Sequence, residues 1–176
     1  MPREESPVTL ETARRLVAFN AAGFERFARA AHRLPWRVAS GNKGTGHLSI
    51  FRTLVHILNV HEVWMLYIIQ ARTRELKTLF QQPDRRPTSW LGFDTYSKRV
   101  WTGIDRYVAA LTPAMLSHVV KAPWMPGKYT VGDAVLQTTF EQAHHLGEII
   151  GTYWQRDVEP PQMMWIPLTR PRIRHR

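Results

Sequence analysis

Cysteine is absent from this 176-residue chain. Its absence excludes structural disulfides, thiolate metal ligands and a cysteine nucleophile together, so any metal held here must be held by imidazole and carboxylate. Long apolar runs are also missing. The longest, Val63 to Ile69, falls far short of the roughly 18 residues that read as a membrane span, and no basic start leads into an apolar segment of the signal-peptide kind. A soluble cytoplasmic protein without membrane partners is the expectation. Acidic residues are scarce, with 14 Asp and Glu against 24 Lys and Arg, a net charge of +10.

That basic excess invites a nucleic-acid reading, because Lys and Arg neutralise phosphates and release counterions. Its distribution argues otherwise. Arg170, Arg172, Arg174 and Arg176 crowd the last seven positions, the remaining basic residues are spread along every segment, and no base-reading motif accompanies them. A solvated basic surface is therefore the reading, and nucleic acid is not an expected partner. What the chain does have is a globular composition, 44% apolar with seven Trp, seven Phe and five Tyr, enough for one core but short for two. The expected organisation is a single helical domain over 1–168 and a basic tail over 169–176.

Ser6-Pro7 reads as an N-cap and first helical residue. Leu10, Ala13, Val17, Ala21, Phe24 and Phe27 follow at helical spacing, giving a first helix that ends before Pro35. Residues 39–46 are rich in Gly and polar side chains and read as a loop. From His47 to about Phe80 the pattern is helical, with one apolar stripe through Phe51, Leu54, Val55, Leu58, Met65 and Ile69 and a second through His56, Val60, Val63 and Tyr67. Two apolar sides predict a helix packed on both, at the centre of a bundle or between the core and a homodimer partner. A third helix runs from about Ser89 to Leu111. Met115 to Tyr129 reads as a short extended excursion or hairpin. Thr130-Val131-Gly132-Asp133 has the form of a capping box and opens a fourth helix that reaches about Gln155. Four long helices with no convincing sheet predict an all-α four-helix bundle.

The chemistry concentrates in Glu141-Gln142-Ala143-His144-His145-Leu146-Gly147-Glu148-Ile149. At about 100° per residue, Val131, Val135, Leu146, Ile149 and Tyr153 define an inward face, which turns His145 inward and His144 outward. Glu141 and Glu148 share the flank of His145. A buried carboxylate beside a buried imidazole is costly unless both are paired, and a divalent cation held by Glu141, His145 and a third group from another helix satisfies both. His56 is the candidate for the third. Two plainer readings stay open: Glu141 and His145 as an ordinary i,i+4 pair, and His56 as a core histidine bonded to a carbonyl. His47, His61 and Glu62 compete with His56 on the same segment. Glu141 to His144 also has the Glu-x-x-His form of di-iron bundles, but no second copy exists in the chain. Trp124, in a Pro-flanked loop, is a candidate cap over the entrance to such a site.

Ser49-Ile50 through Leu54-Val55-His56-Ile57-Leu58 to Glu62, with His144-His145-Leu146-Gly147-Glu148-Ile149 far downstream, resembles the DinB/YfiT-like family of metal-dependent proteins. The resemblance implies a DinB-like four-helix bundle in up-down-down-up order and a divalent metal, Zn, Ni, Mn or Fe, bound by one histidine of helix two and an HxxxH pair of helix four. By position, His56 matches the first ligand and His145 the last, while Glu141 stands where the family has its middle histidine. The family also implies a thiol-dependent transferase, isomerase or hydrolase, with a low-molecular-weight thiol supplying the sulfur that the chain lacks. A non-catalytic dimeric stress-response or ligand-binding module is the alternative.

Overall fold

Side-chain caps start each of the long helices in the computed structural model, which describes residues 5–41, 45–82 and 86–165. Thr9 accepts from the Thr12 N–H to open α1 (Leu10–His32), and Ser49 accepts from Arg52 to open α3 (Ile50–Glu62). Ser89 accepts from Gly92 to open α5 (Trp90–Ala109). The expected capping box is present at α7 (Val131–Trp154): Thr130 accepts from the Asp133 N–H, and the Asp133 carboxylate accepts from the Thr130 N–H. Such caps satisfy backbone donors that the first helical turn leaves without partners. The chain is mostly helical, and the shorter pieces are α2 (Trp36–Ala39), α4 (Leu76–Gln81) and α6 (Pro113–Leu116). The expected hairpin is minimal, with β1 (Val119–Val120) antiparallel to β2 (Tyr129–Thr130) and Val119 opposite Thr130.

Besides the start of the second helix, which Ser49 caps so that it begins at Ile50 rather than at His47, two expected boundaries differ. The first helix starts at Leu10 rather than Pro7, because Ser6 spends its hydroxyl on Val8, donating to its carbonyl at 2.8 Å and accepting from its N–H at 3.2 Å. The Ser6-Pro7 segment instead lies on the start of α7. A Cβ on Gly132 would stand 2.1 Å from the Ser6 hydroxyl, so the close approach requires glycine there. The second difference is that the helix expected to run to Phe80 does not. It passes into a π-helical turn over Val63–Ile68, with Ile69 N–H bonding the Trp64 carbonyl, and stops at Ala71, whose φ of 56° is left-handed. A π turn adds a residue to the helical repeat and rotates everything after it. Met65 and Ile68 of this turn are buried in the core along with Leu54 and Leu58.

Helix α7 packs against α1 and α3, and α3 packs against α5. Phe24, Phe27, Leu54, Leu58, Met65, Phe93, Ile104, Val135 and Leu146 fill the space between them, each almost wholly shielded from water. The inward stripe expected for α7, from Val131 to Tyr153, is buried throughout, and Tyr153, with burial raising its phenol to about 12, stays protonated. Its hydroxyl has no hydrogen-bond partner among the described residues, but most other polar side chains inside are paired. The His61 ring meets Gln142 Oε1 at 2.9 Å, and Gln142 in turn donates to the Asn20 carbonyl at 2.8 Å, joining α3, α7 and α1. The Glu62 carboxylate accepts from the Tyr96 hydroxyl at 2.8 Å and meets Arg99 at 2.9 Å, joining α3 to α5. Among the described residues, no helix is long and apolar enough to cross a membrane. The expected tail over 169–176 lies outside the described residues.

Candidate metal centre

Three imidazoles from separate segments converge near the start of α3. His47 comes from the turn that precedes the helix, His56 from its second turn onward, and His145 from the middle of α7. One ring nitrogen of each lies within 4.8 Å of the others. The rings of His47 and His56 stack with centroids 3.6 Å apart, and each meets the His145 ring nearly edge-on, at 4.9 Å and 4.6 Å. His145 is buried as the helical arithmetic required, while His144 is exposed.

The carboxylates of α7 flank His145 on both sides. Its Nδ1 lies 2.9 Å from Glu148 Oε2. A carboxylate can only accept, so Nδ1 carries the proton and Nε2 is left as the nitrogen that can ligate. Burial works against the charge of Glu148, but the bonds from His145 and from the Gly46 N–H outweigh it and hold this carboxyl below its usual range. The Gly46 bond, 3.2 Å to Oε1, also ties the loop carrying His47 to α7 across 102 positions of sequence. Glu141 sits on the other side, its Oε2 3.5 Å from His145 Nε2 and its Oε1 accepting from Gln137 at 2.9 Å. The sequence-level set of His56, Glu141 and His145 is thus brought to one neighbourhood. Glu141 is outside the tight group of three nitrogens, and His47 is inside it.

Deprotonated nitrogen is the form a metal ligand requires. Burial, then the neighbouring His47 and His145, lower the pKa of His56 to about 4, with Glu148 opposing and Arg86 adding to the fall. Burial and His145 likewise lower the pKa of His47, against Glu148 and Glu141. Both rings are therefore neutral at pH 7, and their lone pairs are available. The donor set suits a borderline divalent ion of the Zn or Ni kind, for which imidazole is a preferred ligand. His61, the other weighed histidine of α3, is excluded from the group because it is fully committed to Gln142 inside the core.

His56 stands between two cavities. On one side a cleft of about 610 Å³ is lined by His47, His56, Trp36, Phe51, Arg52 and Arg86, among others. On the other a smaller hollow of about 320 Å³ is lined by His56, Glu141, Val60, Trp64, Phe80 and Trp124. Trp124, half-exposed, meets Trp64 edge-on at 6.0 Å and forms part of that mouth. The helical arithmetic found His145; His47, expected at the start of the second helix and weighed there as a competitor of His56, lies before that helix, so no helical angle applies to it. Its one sequence signal is its place two residues ahead of the Ser49 cap. A family model described as the DinB superfamily matches residues 22–149, from the middle of α1 to the site on α7. No curated protein matches the chain.

Proposed function

The chain belongs to the DinB superfamily, and on that premise we propose that it is a divalent-metal protein in which His47, His56 and His145 hold the ion, within a four-helix bundle formed by α1, α3, α5 and α7. The observation that carries this reading is the meeting of three imidazole nitrogens within 4.8 Å of one another from three segments of chain. Two of the rings are held neutral by burial, which is costly to arrange for its own sake but suits metal ligation. The set differs from the one read by resemblance in its third donor, His47 in place of Glu141.

Three protein ligands leave coordination positions for water or substrate, the arrangement of reactive rather than structural sites. When bound, such an ion supplies a Lewis acid that lowers the pKa of a water or thiol beside it. The protein's own residues do the rest. Glu148 fixes the tautomer and ring orientation of His145. Glu141, beside His145 Nε2 and partly open to the second cavity, is placed to take a proton from the incoming nucleophile. The two cavities give separate approaches to one centre, which fits a group transfer between a small thiol and a second ligand better than simple hydrolysis.

Elemental analysis of protein purified without chelator, followed by metal titration, tests the reading. One Zn, Ni, Mn or Fe per chain is expected, lost from His47→Ala, His56→Ala and His145→Ala and retained by Glu141→Ala. Protein that carries no ion and whose melting temperature is unmoved by added zinc or nickel would overturn it. Retention by His47→Ala with loss from Glu141→Ala would restore the set inferred from resemblance.

A further inference from the structure

The larger cleft has a chemical character that the metal reading does not use. Its charged lining side chains are Arg52 and Arg86, both exposed, and among the described residues no Asp or Glu lines it. Glu148, whose carboxylate meets the lining residue Gly46, is already engaged by His145 as well. Trp36 lines the same cleft. Its ring is braced edge-on by Phe51 at 5.0 Å and by Trp90 at 5.9 Å, yet 44% of the residue remains open to the cleft and solvent. A tryptophan held rigid with nearly half its surface open, in a cleft whose charged lining is arginine, offers a ligand a pre-ordered apolar face. At about 610 Å³ the cleft lies within the range that encloses small organic ligands.

We propose that this cleft binds an amphipathic anion, a planar apolar group carrying a carboxylate or phosphate, with Arg52 and Arg86 receiving the oxyanion and Trp36 the apolar face. Guanidinium is suited to both headgroups because its paired N–H donors match two oxygens at once. The same ligand, seated there, would present its far end to His47 and His56. The substrate class thus assigned rests on the site proposed above for its reaction, but the binding itself does not require the metal.

The test is calorimetric titration of the full chain with 2-naphthoate, 2-naphthyl phosphate and the neutral 2-naphthamide, in EDTA and again with zinc. The two anions are expected to bind in both conditions and the amide about tenfold more weakly or less, as the loss of a charge-assisted hydrogen bond implies. Whichever anion binds more tightly identifies the headgroup. Arg52→Gln and Arg86→Gln should each weaken the anions by about tenfold and leave the amide unchanged, whereas Trp36→Ala should weaken all three. Lys98→Gln, which removes an exposed charge on α5, serves as the control and should change nothing. Equal binding of amide and anions, or a Lys98→Gln effect as large as that of Arg86→Gln, would overturn the proposal. Arginine-dependent binding by a protein that retains no zinc would sink the metal reading alone, and zinc retention without arginine dependence would sink this one alone.

Discussion

Removing Glu148 separates a metal centre from a chance gathering of imidazoles. The Glu148 carboxylate is only 24% exposed and holds two components at once: the His145 ring at 2.9 Å and, through the Gly46 N–H at 3.2 Å, the loop that delivers His47. Carboxylates that orient a ligating histidine typically contribute 10- to 100-fold in metal affinity, about 1.4–2.7 kcal/mol. Because Glu148→Ala disturbs two of the three donors, its loss belongs at the upper end, about 100-fold. Glu148→Gln keeps one accepting oxygen and belongs at the lower end, about tenfold. Competition for zinc against a chromophoric chelator at pH 7.5 measures both. His144→Ala is the informative companion, since His144 is exposed and reaches Glu148 only at 3.9 Å. It should hold zinc like the wild type. If Glu148→Ala binds as tightly as wild type, the orienting role fails. If His144→Ala loses as much as Glu148→Ala, the ion is held by the alternative group of His144, His145 and Glu148 and His47 has no part in it.

The fully buried His61 predicts acid lability. Burial lowers its folded pKa to about 4, against a bond to Gln142 that raises it, so stability is complete above the unfolded value of about 6.5 and declines as pH falls from there toward 4, by about 3 kcal/mol in total. Urea unfolding of chelated protein at stepped pH should show that decline in wild type and a flatter one in His61→Gln; parallel curves would refute it. Leu54 is wholly shielded in the core, and Leu54→Ala should destabilise by about 2–5 kcal/mol while leaving the metal content per folded chain unchanged, as thermal unfolding and elemental analysis would show.

Where local chemistry decides the structure, the sequence was legible. Thr130 and Asp133 announce α7 through a capping box that the backbone completes, and a repeat of about 100° per residue separates buried His145 from exposed His144. Competing local options were harder to resolve. Ser6 and Thr9 are both good caps, and only the pairing of Ser6 with Val8 and with Ser117, 111 positions away, decides against the first. The end of the second long helix was hidden because it falls on Ala71, a residue with no preference for the left-handed conformation it adopts. The π turn before it leaves no mark in a pattern read at a fixed angle.

The site itself shows why a local reading could not set His47 apart from the other competitors of His56. The residue after it, Leu48, has φ of 75°, a left-handed backbone that costs a side-chain-bearing residue about 1–2 kcal/mol. Leu48 is 46% exposed, so burial of its side chain does not offset that cost. What opposes the strain is the turn bond from the Leu48 N–H to the Thr45 carbonyl at 2.9 Å, together with the grip of Glu148 on Gly46. Both act on the few residues that set the direction of His47. Strain retained in a short segment by contacts reaching from α7, and spent on aiming one imidazole at two others, is what pre-organised ligands require. The loop and helix α7 are therefore a single device, and the position of His47 is a property of the assembled fold rather than of the residues around it.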